Sequence, residues 1–246
     1  MDRLIYTAYS GMTGSMVSQQ VIASNMANAQ TIGFRAEMLN HQTTTLKGPS
    51  IEARAMTLGE VRGANMKQGT LIETGNPLDI ALTGRTMLAV QGEDGEEAYT
   101  RRGDLSVDAS GVMSNGDGRP VIGDAGPVTV PPGARITIAP DGTVLAASGE
   151  NPEQPPQVIA RLKLVGTAGS RIEKGLDGLF RVSGGGVLPA DEEAKVQPGT
   201  LEQSNVDPTR ILVEMVEAQR LFDMRTKLVA TARELDEGGA GLMRLG

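Results

Sequence analysis

Apolar positions at the two ends of the chain recur with helical spacing, whereas between them they come in short runs broken by turns. From Asp2, a candidate N-cap, to about Ala27, apolar or small residues fall at Leu4/Ile5, Ala8, Gly11/Met12, Ser15/Met16, Ile22/Ala23 and Met26. Steps of three and four put these on one helix face. The small residues Ala8, Gly11 and Ser15 share that stripe and permit close approach of another helix. The helix is expected to fray near Asn25–Asn28 and to end before Gly33.

The C-terminal segment carries the stronger helical pattern. Asp207-Pro208 supplies an N-cap followed by proline at the first helical position, where its missing N–H costs nothing. Ile211, Met215, Ala218 and Phe222 then step by four, three and four. Arg225 interrupts the stripe, and Val229 and Ala232 resume it. A second line through Leu212, Leu221, Met224, Leu228 and Leu235 widens the apolar face, and Gly238-Gly239 is expected to stop the helix. The pattern is coiled-coil-like but too irregular for a strict two-stranded zipper.

From Leu78 to Leu201 the period changes. Short β-prone runs (Asp79–Thr83, Met87–Gln91, Ala98–Arg101, Val128–Val130, Arg135–Ile138, Thr143–Ala146, Val158–Val165, Leu179–Val182) alternate with turns at Asn115-Gly116, Pro132-Gly133, Asp141-Gly142 and Gly184–Gly186. Closely spaced strands without helices between them predict an all-β domain. The expected class is therefore α+β, mainly β, with helical termini forming a coiled-coil-like domain. The expected divisions are an N-terminal helix over 1–28, an extended connector with some local strand over 29–75, a β-rich domain over 76–203 and a C-terminal helix over 204–246. An echo joins the two borders of the β region: Gln68-Gly69-Thr70-Leu71 leads in and Pro198-Gly199-Thr200-Leu201-Glu202 leads out. Both fit paired strands at the crossings.

Composition narrows the function. Aromatic residues are 2% of the 246, so any core is aliphatic and methionine-rich. The formal net charge is −7 and concentrates in the middle, where residues 76–200 carry eleven Lys/Arg against seventeen Asp/Glu. An acidic surface with few stacking rings argues against nucleic acid. There is no cysteine, and the single histidine, His41, stands in the polar connector. That argues against a zinc site or a histidine-based triad. Neither a P-loop nor a dinucleotide fingerprint is present, so no cofactor is expected. Asp104 with Asp108, or Glu192 with Glu193, could serve as an acid–base pair. Dispersed carboxylates in an acidic β domain are more simply solvated turn residues. The stretch from Asp108 to Gly118 has calcium-loop residues but misses the EF-hand spacing, and hairpin turns explain it better. No run approaches the ~18 apolar residues of a membrane span, and the N-terminus lacks the features of a cleaved secretory signal. The two helices are expected to pair with each other, yet each offers the other only one face. Wide apolar faces at both ends therefore point to further copies or partners completing the core.

The chain resembles the axial proteins of the bacterial flagellum, and among them the FlgF-type proximal rod proteins. The opening Met-Asp-Arg-Leu-Ile-Tyr-Thr-Ala (1–8), the run Ile22–Asn28 with Thr31-Ile-Gly33-Phe34-Arg35, the stretches 68–71, 74–79, 99–105 and 108–111, and the C-terminal blocks 199–207 and 214–220 are similar to family signatures in order. Two departures stand out: Thr86-Met87-Leu88 replaces a usual Gly-Phe-Phe, and Asn25-Met26 a usual Asn-Leu. The signature positions carried over are Asn25, Asn28, Gly33, Phe34, Gly69, Gly75, Pro77, Asp79, Gly199, Leu201, Ser204, Asn205, Glu214 and Arg220. The resemblance implies a non-catalytic subunit assembling through Ile5, Ala8, Met12, Met16, Ile22, Met26, Ile211, Met215, Ala218, Phe222, Val229 and Ala232. Implied partners are copies of itself, neighbouring rod proteins and the flagellar type III export apparatus, at the rod in the periplasmic space. The distal rod (FlgG-type) proteins are the close competitor within the family.

Overall fold

The computed structural model describes residues 2–45, 55–147 and 155–243. The chain divides into two units, one of Met1–Ala27, Glu37–Gly63 and Asp207–Gly246, the other of Asn28–Ala36 and Ala64–Val206. The described residues are mainly strand, with two long helices, α1 (Asp2–Ala27) and α2 (Pro208–Met243).

In the first unit α1 packs against α2. The start of α2 follows its sequence: Asp207 Oδ1 accepts from the backbone N–H of Thr209 at 2.9 Å and of Arg210 at 3.3 Å, an N-cap with Pro208 as the first helical residue. The end does not. Helix continues through Gly238-Gly239 to Met243, because glycine tolerates right-handed helix at a cost of about 1 kcal/mol relative to alanine. The expected connector also holds more structure than its pattern showed. Strands β1 (Glu37–Thr45) and β2 (Ala55–Ala64) pair as a two-stranded sheet. The run Asn40-His41-Gln42-Thr43 has no apolar alternation to reveal a strand; the pairing makes it one. The side chain of His41 lies outside the described residues.

The second unit is a set of small antiparallel sheets around two cores. Its centre is a five-stranded sheet of β5 (Thr86–Gln91), β6 (Glu97–Thr100), β14 (Leu164–Gly166), β15 (Ile172–Lys174) and β16 (Phe180–Val182), in the order β14-β5-β6-β16-β15. Strand β5 is apolar from Met87 to Val90 because both of its faces are covered. Leu88 and Val90 enter the larger core with Ile80, Leu82, Met113, Val121 and Val144. Met87 and Ala89 point the other way, to Tyr99, Val165, Phe180 and Leu188. Side chains alternate across a strand, so a two-sided strand reads as an unbroken apolar run. The Met87-Leu88 departure from the family pattern is thus wholly internal. A three-stranded sheet of β11 (Arg135–Ile138), β12 (Thr143–Ala147) and β13 (Gln157–Arg161) adds Ile136, Ile138 and Val144 to the larger core.

Two expected runs resolve differently. Val158–Val165 is not one strand: β13 and β14 belong to separate sheets, and between them Leu162 and Lys163 donate to the carbonyls of Gly142 and Ile122. Val128–Val130 keeps only an isolated bridge, Val112 to Thr129, while both valines are buried in the core. The echo motifs are partners of each other: β3 (Leu71–Glu73) pairs antiparallel with β18 (Thr200–Glu202), Leu71 opposite Glu202. Beside them β17 (Val196–Pro198) pairs with β4 (Ile80–Leu82).

Candidate functional site

In the helical unit the seam between α1 and α2 is sorted by burial. Ile22 and Ile211 are buried, and Met12, Ala218, Phe222 and Val229 are half-buried. Arg225, which interrupts the apolar stripe, belongs to this seam: its Nη1 donates to the Gly11 carbonyl and the Ser15 hydroxyl of α1. Gly11 and Ser15 are small enough to admit it. By contrast Met16, Met26 and Met215 are 56%, 39% and 44% exposed. The side chains of Ile5, Ala8 and Ala232 lie outside the described residues. Along α2, Leu212, Val216, Met224 and Leu228 form an exposed ridge at steps of four, with the exposed Arg220 in the open position of the series. Glu214 accepts from Arg210 one turn back, at 2.8 Å. At the end of α1, Asn25 is buried and clamps the backbone of Glu37, donating to its carbonyl at 3.0 Å and accepting from its N–H at 2.7 Å.

The remaining signature residues form a clasp within the second unit. Its centre is Glu202, whose side chain is fully buried between those of Arg35 and Arg101. Oε1 accepts from Arg35 Nη2 at 2.6 Å and from the Gly69 N–H at 2.7 Å. Oε2 accepts from Arg101 Nη2 at 2.5 Å and Nε at 3.0 Å. Arg101 also donates to the carbonyls of Leu82, Gly84 and Thr86 at 2.7–2.8 Å. Two guanidinium groups face one carboxylate, so the cluster is net positive. Burial pulls the Arg101 guanidinium below its ordinary value, Glu202 draws it back up, and Arg35 pushes it further down.

Glycines let the strands of the clasp meet. The Gly33 N–H donates to the Glu202 carbonyl at 2.7 Å. Its φ is +69°, and a Cβ there would stand 2.5 Å from the Arg101 backbone. At Gly69 a Cβ would stand 2.1 Å from the Gln203 carbonyl oxygen. Asn205 ties the same three segments: its Oδ1 accepts from the Ala36 N–H at 2.8 Å, and its Nδ2 donates to the carbonyls of Asn65 and Lys67 at 2.7 and 2.8 Å. Ser204 accepts from the Val206 N–H, Asn28 from the Thr31 hydroxyl, and the Phe34 ring lies 3.5 Å from Lys174 Nζ. A second knot holds the β3–β18 crossing. Asp79 accepts from the Thr74 hydroxyl and the Asn76 amide, Pro77 sits inside the Asn76–Asp79 turn, and Gly199 donates to the Asp79 carbonyl while accepting from Thr74 and Gly75. Leu201 is half-buried opposite Ile72.

The carboxylates weighed for chemistry have structural work. Asp104 accepts two parallel hydrogen bonds from the Nε–Nη2 edge of Arg102, at 2.8 and 2.9 Å. Asp108 Oδ1 accepts from the hydroxyl and N–H of Ser110 and the N–H of Val112, which hold its carboxyl below the usual range, the Ser110 hydroxyl foremost. That oxygen closes a hairpin turn rather than opening a cation loop. Glu192 and Glu193 are exposed in a turn. Among the described residues no group of His, Cys, Asp or Glu is arranged to hold a metal ion, and no helix is long and apolar enough to cross a membrane.

The charges at the heart of the clasp, Arg35, Arg101 and Glu202, lie inside the signature stretches but are not among the signature positions carried over from them. Periodicity marks charged residues as solvated, and only their side-by-side presence in GFR, YTRR and GTLEQSN could have singled them out.

Comparison with known proteins identifies the family. Residues 81–146 match the flagellar hook protein FlgE/F/G D1 domain, and residues 197–242 match the flagellar basal body rod FlgEFG protein C-terminal domain. The chain is 41% identical to the flagellar basal-body rod protein FlgF of Escherichia coli K12, over 94% of each chain. It is 41% identical to FlgF of Salmonella typhimurium LT2, over 98% of this chain and 97% of that one. A rod protein FlgG, from Agrobacterium fabrum, matches at 31% over 95% of this chain and 96% of its own. The chain therefore belongs to the flagellar basal-body rod proteins of FlgF type, a structural family.

Proposed function

We propose that this protein is a non-catalytic subunit of the proximal rod, which assembles helically through its terminal helices and transmits torque for motility. The exposed α2 ridge of Leu212, Val216, Met224 and Leu228 carries the reading. The seam with α1 uses another side of α2, formed by Ile211, Ala218, Phe222, Arg225 and Val229, so the ridge is left for copies of the same chain or neighbouring rod proteins. Paired in this way, α1 and α2 form a coiled-coil-like domain whose outer side is the assembly surface, with Met16, Met26 and Met215 on it. Export through the flagellar type III apparatus without a cleaved signal, and a final position in the periplasmic part of the basal body, follow from this role.

Met224→Asp tests it. A charge on the exposed ridge is expected to leave the monomer's unfolding within about 0.5 kcal/mol of the parent. Incorporation into isolated basal bodies and swimming should be lost. Normal rods containing the variant would refute the assignment of the ridge.

A further inference from the structure

We propose that two asparagines, Asn25 and Asn205, fasten the points where the chain passes between its units into one joint, so that force arriving on one connection is shared by all. The chain makes four such passages, after Ala27, Ala36, Gly63 and Val206. A lone connecting strand is a swivel, because every residue in it has two soft dihedrals. Strands bonded side by side are not, since turning about one of them must break its bonds to the rest.

Asn205, beside the last passage, reaches the second and the third. Its Oδ1 accepts from the Ala36 N–H at 2.8 Å, and its Nδ2 donates to the carbonyls of Asn65 and Lys67 at 2.7 and 2.8 Å. The backbone adds to this: the Asn65 N–H donates to the Ala36 carbonyl at 2.8 Å, and the Asn205 N–H to that of Phe34 at 3.3 Å. Asn25, just ahead of the first passage, reaches the second from its other side. It accepts from the Glu37 N–H at 2.7 Å and donates to the Glu37 carbonyl at 3.0 Å. The consecutive amides of Ala36 and Glu37 are therefore held by different asparagines. Each side-chain bond stays within one unit, and the peptide link from Ala36 to Glu37 makes the series continuous.

The carboxamide is what both places need. Each asks for a donor and an acceptor on one short side chain, and at Asn205 the nitrogen serves two carbonyls at once. Aspartate would set a charged oxygen against those carbonyls instead. Asparagine more often bonds within a few residues to shape a turn. Here the partners stand 12 residues away at Asn25 and 138 to 169 away at Asn205, so turn geometry does not account for them. The sharing of load rests on the torque reading above; the joint itself does not.

Native-state amide exchange of the purified full-length chain tests the joint. Asn205→Ala is expected to speed exchange about tenfold at Asn65 and also at Glu37, whose N–H is held by Asn25. Asn25→Ala should speed Asn65 in the same way, although Asn25 does not touch it. Asn205→Asp, which keeps an acceptor for Ala36, should behave like Asn205→Ala. The buried Val121 N–H, bonded to the Met113 carbonyl at 2.8 Å, should keep its rate. Unchanged exchange at the amide held by the other asparagine would reveal two independent local bonds and overturn the joint. An equal rise at Val121 would reveal general unfolding and overturn it as well. In cells, Asn205→Ala is expected to enter basal bodies normally and to slow swimming more in viscous than in dilute medium. The same proportional speed in both media would overturn the sharing of load. Absence of the unmodified chain from isolated basal bodies would overturn the rod reading instead, whatever the exchange rates show.

Discussion

The two units of this chain handle their apolar and charged residues in opposite ways. The β-rich unit encloses Ile80, Leu82, Met87, Leu88 and Val90 completely and draws even Arg35, Arg101 and Glu202 out of water. The helical unit leaves Tyr9, Met16, Met215, Val216, Met224 and Leu228 in solvent, each more than 40% exposed. Burial of apolar surface is the main favourable term in folding. The β-rich unit thus has its stability within itself, while the helical unit leaves much of its apolar surface uncovered.

That contrast breaks most severely at the clasp. Glu202→Gln leaves two buried guanidinium groups without a counter-charge, and the β-rich unit is expected to lose about 3–5 kcal/mol in denaturant unfolding. Removing one partner is harsher than removing the whole cluster, since desolvation of the remaining charges is then uncompensated.

Gly33→Ala comes next. The new methyl meets the Arg101 backbone at 2.5 Å with φ at +69°, and a loss on the order of 2–4 kcal/mol is expected from the clash and the left-handed backbone together. Gly75→Ala, at φ +71° with nothing near its Cβ, should cost only the backbone component, about 1 kcal/mol. Equal losses at the two glycines, measured by thermal unfolding, would show that close approach is not what Gly33 provides.

A third handle is pH. Burial pushes the Tyr99 hydroxyl up to about 12 from 10.0, against the lowering effect of the Leu188 N–H, while Glu97 adds to the rise. The folded state therefore holds this proton where the unfolded chain releases it. The stabilisation is complete below pH 10 and is lost as pH rises from about 10 through 12. In Tyr99→Phe the fall in stability over that window should be shallower than in the parent, although the Leu188 N–H loses its acceptor at 2.6 Å. An unchanged alkaline slope would assign the titration to another group. The smallest effect belongs to the helical unit: Asp207→Ala removes an exposed N-cap and should cost about 1 kcal/mol of α2 stability, visible in its amide exchange.

Legibility followed the same division. The helices were readable because spacings of three and four survive without tertiary context, and the N-cap at Asp207-Pro208 is a local device. Gly238-Gly239 does not stop α2, because the pair only permits termination. Strands such as Met87–Gln91 were visible as apolar runs. The break at Leu162 was not, because hydrogen bonds to Gly142 and Ile122 from elsewhere in the chain create it. Polar composition hides the β1–β2 pair, and the break that Arg225 makes in the apolar stripe is explained only by Gly11 and Ser15 opposite it.

By itself the amino-acid order determined the mainly β class with helical termini, the aliphatic core and, through its ordered signatures, the flagellar rod family. These rest on local periodicity, turn chemistry and motif order, which are properties of neighbours along the chain. Only the tertiary structure decided that Arg35, Gly69, Arg101 and Glu202 meet, that the two echo motifs pair with each other, and which side of α2 is left open. Those depend on contacts between residues as far apart as Arg35 and Glu202, 167 positions along the chain. A buried charge is tolerated only where such distant partners converge, and no local pattern encodes that convergence.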